Sequence, residues 1–368
     1  MAKRATLYDV AERAGVSTAT VSFAFTQPHR VRAATLERVL EAARTLGYMP
    51  SGTARGLARG VTGAIGLYSY DYLIDAAAVV APARTAYRTF PLYVDEVQYG
   101  VEMECRRLGY ALLVSGARTH PSTPAVVDLA GRVDGLIVFA GSLTAEEIGA
   151  VARRIPVVAL GSDVNGSRVG TVRVDDGLGM RQVVEHLLAA HGCRRLLFLG
   201  EGQTVEMQSR YQAFAEVLGD AGLVAAEPLP SRPGVDETTV RVVRSCLERG
   251  ELPDAFVCAT DQEALVTLDT LASAGRSVPR DVLVTGFDGI VAGRLSRPTL
   301  TTVQQPMAEI GRTAVRTLVS LMGEGERDQA MCLGVELLLG GSCGCPDPAQ
   351  VDGGEATAKP QEPGSSEI

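Results

Sequence analysis

Apolar residues recur every three or four positions through the first fifty residues. Leu7, Val10, Ala11 and Ala14 form one stripe, preceded by Thr6 with Asp9 three residues on and followed by Gly15. That pattern predicts a short N-capped helix with a glycine stop. Ser17 caps a predicted second helix through Phe25, with Val16 and Val21 turned inward and TQPH closing it. A third spans about Ala33 to Leu46, with Leu36, Val39, Leu40, Ala43 and Leu46 as its buried stripe and Gly47 as its stop. Tyr48 to Gly60 is a marginal helix, because Gly52 and Gly56 each cost about 1 kcal/mol relative to alanine and so short a segment frays alone.

From Thr62 the period changes. Short β-rich runs, GAIGLY, YALLVSG, DGLIVFAG, PVVAL, RRLLFLG, DAFVCAT and DVLVTGFD, alternate with helical stripes. Seven continuous apolar strands separated by helices predict parallel sheets covered by helices, arranged as two α/β lobes. Residues 71–92 are rich in Ala and Pro and carry no clear period. The polar residues 347–368 predict a disordered tail. The expected division is an all-α helix-turn-helix head over 1–47, a linker over 48–61, a two-lobe body over 62–346, and the tail.

A chain of 368 residues exceeds what one core sustains, which agrees with that division. The net charge of −8 conceals an asymmetry. Met1 to Gly60 holds one Lys and eight Arg against Asp9, Glu12, Glu37 and Glu41, a charge of +5, so the remainder carries −13. A basic head on an acidic body is the layout of an attached nucleic-acid-binding module. It favours helix-turn-helix over the plainer reading of Thr6 to Phe25 as a helical hairpin in a core.

Enzyme chemistry finds little support. The only lysines are Lys3 and Lys359, which excludes a P-loop and lysine catalysis. LLFLGEGQTV offers Gly200 and Gly202 after a strand, but Val205 occupies the third glycine position of a dinucleotide fingerprint. His186 and His191 are five apart, off one helix face, and Cys343 and Cys345 in SCGC have no His or third Cys beside them in the sequence. The expectation is an inert thiol pair, with no catalytic residue, metal or cofactor. No apolar run reaches the roughly 18 residues of a membrane span, and MAKRATLYDV lacks a signal-peptide core, so a cytoplasmic protein without membrane contact is expected.

The ordered set TLYDVAERAGVSTATVS, RVLEAARTLGYMPSGTARGLARG, GAIGLY, FVCATDQEAL, VPRDVLVTGFDGI, RPTLTTVQQPMAEIGRTAV and SCGCP resembles the lactose-repressor (LacI/GalR) family of bacterial transcription regulators over nearly the whole chain to Pro346. The resemblance implies a helix-turn-helix head, a hinge helix, and a body with the fold of periplasmic sugar-binding proteins. It further implies a homodimer on palindromic double-stranded operator DNA, most often as a repressor, controlled by a small-molecule effector between the lobes. A regulator that binds DNA without an effector is the alternative, and an α/β enzyme a remote one.

The resemblance also places site residues. Thr18, Ala19 and Phe23 fall where relatives read base edges, often through Arg, Lys or Gln; here only a hydroxyl and apolar contacts to thymine methyls are available. Phe23 could instead pack inside the bundle. Phosphate contacts fall to Ser17, Ser22, His29, Arg30, Arg32 and Thr35, with Thr6 and Thr20 on the same DNA-facing surface. Leu57 occupies the wedge position that parts a base step in the minor groove, flanked by Arg55 and Arg59 near phosphates. Arg210, Asp261 and Asp288 match effector contacts, each aspartate directly after an apolar strand. Tyr70 and Phe139 are first-lobe candidates to stack on a ligand. Asp261→Ala is expected to abolish the ligand response and spare DNA binding. Gly161 stands where many relatives have a ligand-binding carboxylate, so the effector need not be a sugar.

Overall fold

Three helices pack into the head: α1 (Leu7–Ala14), α2 (Thr18–Thr26) and α3 (Ala33–Leu46). Thr6 and Asp9 form a reciprocal capping box, and Gly15 ends α1 in the left-handed conformation that glycine adopts without penalty. Ser17 Oγ accepts the Thr20 amide at 3.1 Å. Arg32 gives α3 no side-chain cap, and Gly47 closes it left-handed. Val10, Ala11, Ala14, Val21, Ala24, Val39, Ala42 and Ala43 make the core. Leu40, expected in the buried stripe, is 38% exposed; Ala42 takes its place, so the apolar arc of α3 is rotated toward the small residues.

In the computed structural model the described residues are 5–49, 61–70, 92–117, 123–200, 204–231, 236–324 and 329–346. The chain divides into two units, 1–62 and 63–368. The stretch 71–92 lies almost wholly outside the described residues, as do the marginal helix around Leu57 and the tail. No helix among the described residues is long and apolar enough to cross a membrane.

The second unit is built on two parallel sheets. The larger follows the order β10-β5-β4-β3-β1-β2, made of β1 (Ala64–Tyr70), β2 (Ala111–Ala117), β3 (Gly135–Val138), β4 (Val157–Leu160), β5 (Val169–Val174) and β10 (Gln329–Leu333). Both faces of β1, β3 and β4 are covered, which explains their unbroken apolar runs, whereas the edge strands β2 and β10 are largely exposed. Ile65 and Leu67 face one core, and Tyr68 faces the other. Helices α4 (Leu92–Leu108), α5 (Thr123–Ala130) and α6 (Ala145–Ala152) belong to this lobe, joined by α12 (Met307–Glu324).

The smaller sheet, β6 (Leu196–Leu199), β7 (Ala255–Cys258) and β8 (Leu283–Thr285), carries α7 (Asp176–His191), α8 (Val205–Asp220), α9 (Asp236–Arg249) and α10 (Asp261–Ser273). A one-turn helix, α11 (Val291–Leu295), follows β8. Two short strands, β9 (Thr302–Gln304) and β11 (Glu336–Leu338), pair antiparallel. The chain passes between the lobes three times, after β5, after β9 and after β10. These passages lie side by side: the Asp175 amide donates to the Leu333 carbonyl at 3.2 Å, and Gln304 pairs with Glu336.

Seven strands were expected, and eleven are present among the described residues. β5 was missed because exposed Arg173 interrupts its apolar run, and β10 because three of its five residues are exposed. β9 and β11 have three residues each, too few to show a period.

Helices α4 and α12 cross at glycines. A Cβ on Gly100 would overlap the Ala308 carbonyl, and one on Gly311 the Val97 carbonyl. Gly100→Ala gains about 1 kcal/mol of helix propensity, but a backbone clash relaxes only by separating the helices, at about 1–3 kcal/mol. The clash should win. Urea unfolding should show a destabilised variant, and a stabilised one would remove the close crossing.

Candidate DNA-binding surface and effector cleft

The exposed side of α2 is uncharged. Ala19, Ser22 and Phe23 are exposed and Thr18 is partly so, while Val21 and Ala24 are buried. Phe23 is 39% exposed and packs under the Arg30 guanidinium, 5.0 Å from ring centroid to Cζ, so it does not belong to the bundle core. Phe25, by contrast, contacts Tyr48 at 5.9 Å. Arg30 also donates to Gln27 at 2.8 Å, which fixes a positive charge beside the apolar face. His29, Arg30 and Arg32 are exposed around it. The Thr6 hydroxyl is engaged with Asp9 at 2.7 Å, so its side chain serves first as a cap. Ser17 and Thr20 hydroxyls bond each other at 2.9 Å. Arg55, Leu57 and Arg59 lie outside the described residues.

In the body, Arg210 from α8 is the centre of a buried polar cluster. It donates to Asp176 at 2.7 Å and to the Ala259 carbonyl at 2.7 Å, lies 3.6 Å from Asp288, and stacks on Phe287 with 3.7 Å from Cζ to centroid. Burial opposes its charge, but Asp176 and Asp288 outweigh that and raise its pKa. Asp288 stands at φ 128°, a conformation costly for a residue with a Cβ. It is held there by its amide to Val303 at 2.9 Å and by Gln305 Nε2 on its carboxylate at 2.8 Å. Burial pushes the Asp288 carboxyl well up, against the pull of Arg210.

Asp261 has a different place from the one expected. It is 0% exposed, and its carboxylate accepts the amides of Gly289 at 2.8 Å and Ile290 at 2.9 Å and the Thr302 hydroxyl. Its acceptors are spent bracing the loop that carries Asp288. A strand-end aspartate reads the same in sequence whether it faces a ligand or a loop.

Sequence reasoning missed three further residues. Glu206, at the start of α8, reaches the first lobe: its Oε1 lies 3.1 Å from where a Cβ on Gly161 would be. A carboxylate from the other lobe therefore lies beside position 161. Burial pushes Glu206 up to about 7, and its Oε2 has no hydrogen-bond partner among the described residues. Tyr93 of α4 meets Phe139 edge-on at 6.4 Å. Burial and then the charges of Asp288 and Glu206 raise its phenol, which places it toward the same cluster. Asp176 was the third; only its pairing with Arg210 marks it, a contact 34 residues apart in the chain. Tyr70 ends β1, paired with Ala117.

His186 and His191 also depart from expectation. Their Nε2 atoms are 3.1 Å apart, because His191 is the last residue of α7 and the two imidazoles converge although their Cα atoms do not share a face. The SCGC pair, remote in sequence, lies against them.

The geometry defines a class: a helix-turn-helix unit on the same chain as a two-lobe α/β body with a polar cluster at its strand ends. Residues 6–51 match the model of the bacterial regulatory proteins of the lacI family, and 184–343 that of a periplasmic binding protein-like domain. The HTH-type transcriptional repressor PurR of Haemophilus influenzae (strain PittEE) is 29% identical, the match covering 86% of this chain and 90% of the relative. Catabolite control protein A of Staphylococcus aureus (strain Mu50 / ATCC 700699) is 27% identical over 87% and 93%. Among solved structures, the lac repressor dimer bound to operator and the anti-inducer ONPF superposes with a TM-score of 0.76 at 26% identity, covering 93% of this chain and 99% of that one. The transcriptional regulator CelR in complex with cellobiose gives 0.65 at 28%, covering 92% and 100%. The chain belongs to the lacI family: it is a DNA-binding transcriptional regulator with an effector-binding body.

Asp261→Ala would strand two buried amides and the Thr302 hydroxyl. We expect a loss of about 3–5 kcal/mol in urea unfolding. A variant of unchanged stability would return Asp261 to the role of open ligand contact. Glu206 supplies a pH test. With a folded pKa near 7 above an unfolded 4.5, the native state holds the proton longer, so its stability falls as pH rises from 4.5 to 7 and levels off above. Relative to Glu206→Gln, the wild type should lose about 2–3 kcal/mol across that window. A constant difference would show an ordinary carboxylate.

Proposed function

We propose that this chain acts as a homodimeric repressor in the cytoplasm, has no enzymatic activity, and binds a palindromic operator with an affinity set by a small polar effector between its lobes. The observation that carries the effector half is the buried Arg210 cluster at the strand ends, with Glu206 reaching across the cleft to Gly161. Its charges are largely answered within the protein: Arg210 by Asp176 and Asp288, while Glu206, pushed up to about 7 by burial, is only partly ionised at pH 7. Such a site suits an uncharged, hydroxylated ligand that trades hydrogen bonds and lays a face on Phe139 and Tyr93. In the relatives, CelR is seen with cellobiose; neutral sugars and nucleosides are therefore the first probes here. A regulator without an effector would show no ligand-induced rise in melting temperature, whereas a binder is stabilised by mass action.

The DNA half rests on the exposed α2 face with its arginine surround, and on Leu57, within the hinge linker assigned to 48–61, as the minor-groove wedge. Tyr99 and Met103, exposed four residues apart on α4, offer apolar surface for the dimer. With no amide or charged side chain on the exposed face of α2, direct readout is poor, and discrimination passes to the deformability of the central base step. Leu57→Ala should weaken operator binding about tenfold or more in gel-shift titration and leave ligand-induced melting shifts intact. Thr18→Ala and Phe23→Ala should each cost less than Leu57→Ala. The opposite order would place the reading in α2.

A further inference from the structure

Four soft ligand atoms meet at one point on the second lobe. His186 and His191 come from the last turns of α7, and Cys343 and Cys345 from the turn after β11. The two Nε2 atoms are 3.1 Å apart. Cys345 Sγ lies 3.4 Å from His186 Nε2 and 3.5 Å from His191 Nε2, and Cys343 Sγ 3.6 Å from His186 Nε2. All four atoms fall within 4.8 Å of one another. A tetrahedral zinc ion, with about 2.0–2.1 Å to nitrogen and about 2.3 Å to sulfur, sets ligand-to-ligand edges of about 3.3–3.8 Å. Four of the six edges here are close to that. Hydrogen bonding explains the cluster poorly, since thiols are weak donors and a neutral imidazole offers one N–H.

We propose that His186, His191, Cys343 and Cys345 form a closed His2Cys2 site for a zinc ion that fastens the C-terminal strap to the end of α7.

The backbone is shaped for it. Gly192 ends α7 in the left-handed region at φ 65°, directly after His191. Gly344, between the two cysteines, stands at φ 89°, where a side chain would be strained, and this turn lets both thiols address one point. Thr301 Oγ1 lies 3.0 Å from Cys343 Sγ, in position to donate to a metal-bound thiolate. Two sulfurs and two imidazole nitrogens select zinc over magnesium or calcium, and four protein ligands leave no open position for substrate. The role is structural. Loading replaces two thiol protons with one divalent ion, so the site stays neutral. It closes a loop of 157 residues between His186 and Cys343, and its binding energy adds to the stability of the lobe.

The test uses the full chain purified under reducing conditions without chelator. Elemental analysis should find about one zinc per chain, and exchange into cobalt(II) should give the d–d bands of a tetrahedral site with thiolate charge transfer. Cys345→Ser and His191→Gln should each lower zinc to below about a tenth of an equivalent and erase those bands, while Cys332→Ser, outside the cluster, changes neither. A strong chelator should lower the melting temperature of the wild type by about 5 °C or more and leave Cys345→Ser unmoved. Wild-type protein without zinc and without a tetrahedral cobalt spectrum overturns the proposal, whether its thiols are free or joined as a disulfide. So does zinc retained by both ligand variants. The wild-type measurements decide alone if a variant fails to fold.

Discussion

The body depends on a guanidinium taken out of water. Arg210 is 3% exposed, and an isolated charge so placed would cost many kilocalories. It is tolerated because Asp176, Asp288, the Ala259 carbonyl and the Phe287 ring surround it. These partners come from α7, the loop after β8 and the end of β7, so one side chain ties together three segments that are distant in the chain. A buried pair of this kind adds little net stability over an apolar substitute. What it adds is geometry: the guanidinium meets Asp176 and the Ala259 carbonyl in one arrangement of these segments. The strained backbone of Asp288 fits this account, since the φ of 128° persists only where neighbouring bonds hold it.

The head solves a separate problem. The arginines beside α2, Arg30 and Arg32, lie in the segment that follows it, while the exposed face of α2 is hydroxyl and hydrocarbon. Phosphate contacts give affinity without sequence information, and a face without forks or amides distinguishes bases weakly. Arg30 over Phe23 brings the two together at one place, because the exposed ring on that face is itself held by a cation.

Much of this was legible in the sequence, for reasons that differ by element. The head helices were placed almost to the residue because Thr6, Ser17, Gly15 and Gly47 are local signals whose physics acts within four residues. Seven strands announced themselves by continuous apolar runs, while β5, the exposed edge strand β10 and the short strands β9 and β11 did not. Arg210 and Asp288 were named through resemblance, and the fold brings them to 3.6 Å of each other. Glu206 and Tyr93 were not named, because a carboxylate that reaches over from the opposite lobe, and a tyrosine brought in by a helix, leave no mark within a sequence window. Asp261 was found and misassigned, since the difference between holding a loop and holding a ligand is which donors surround it. His186, His191, Cys343 and Cys345 were each seen and set aside, because spacing along the chain measures nothing about groups that the fold brings together from both its ends.

The three adjacent passages between the lobes have a mechanical meaning. A single connection would let two bodies twist, shear and bend independently. Three strips fastened together, through Asp175 to Leu333 and Gln304 to Glu336, resist twist and shear in their own plane and yield mainly to bending across it. The relative motion of the lobes is thereby reduced from many independent movements to roughly one angle. A ligand that bridges the two lobes therefore acts on that bend rather than on their twist or shear.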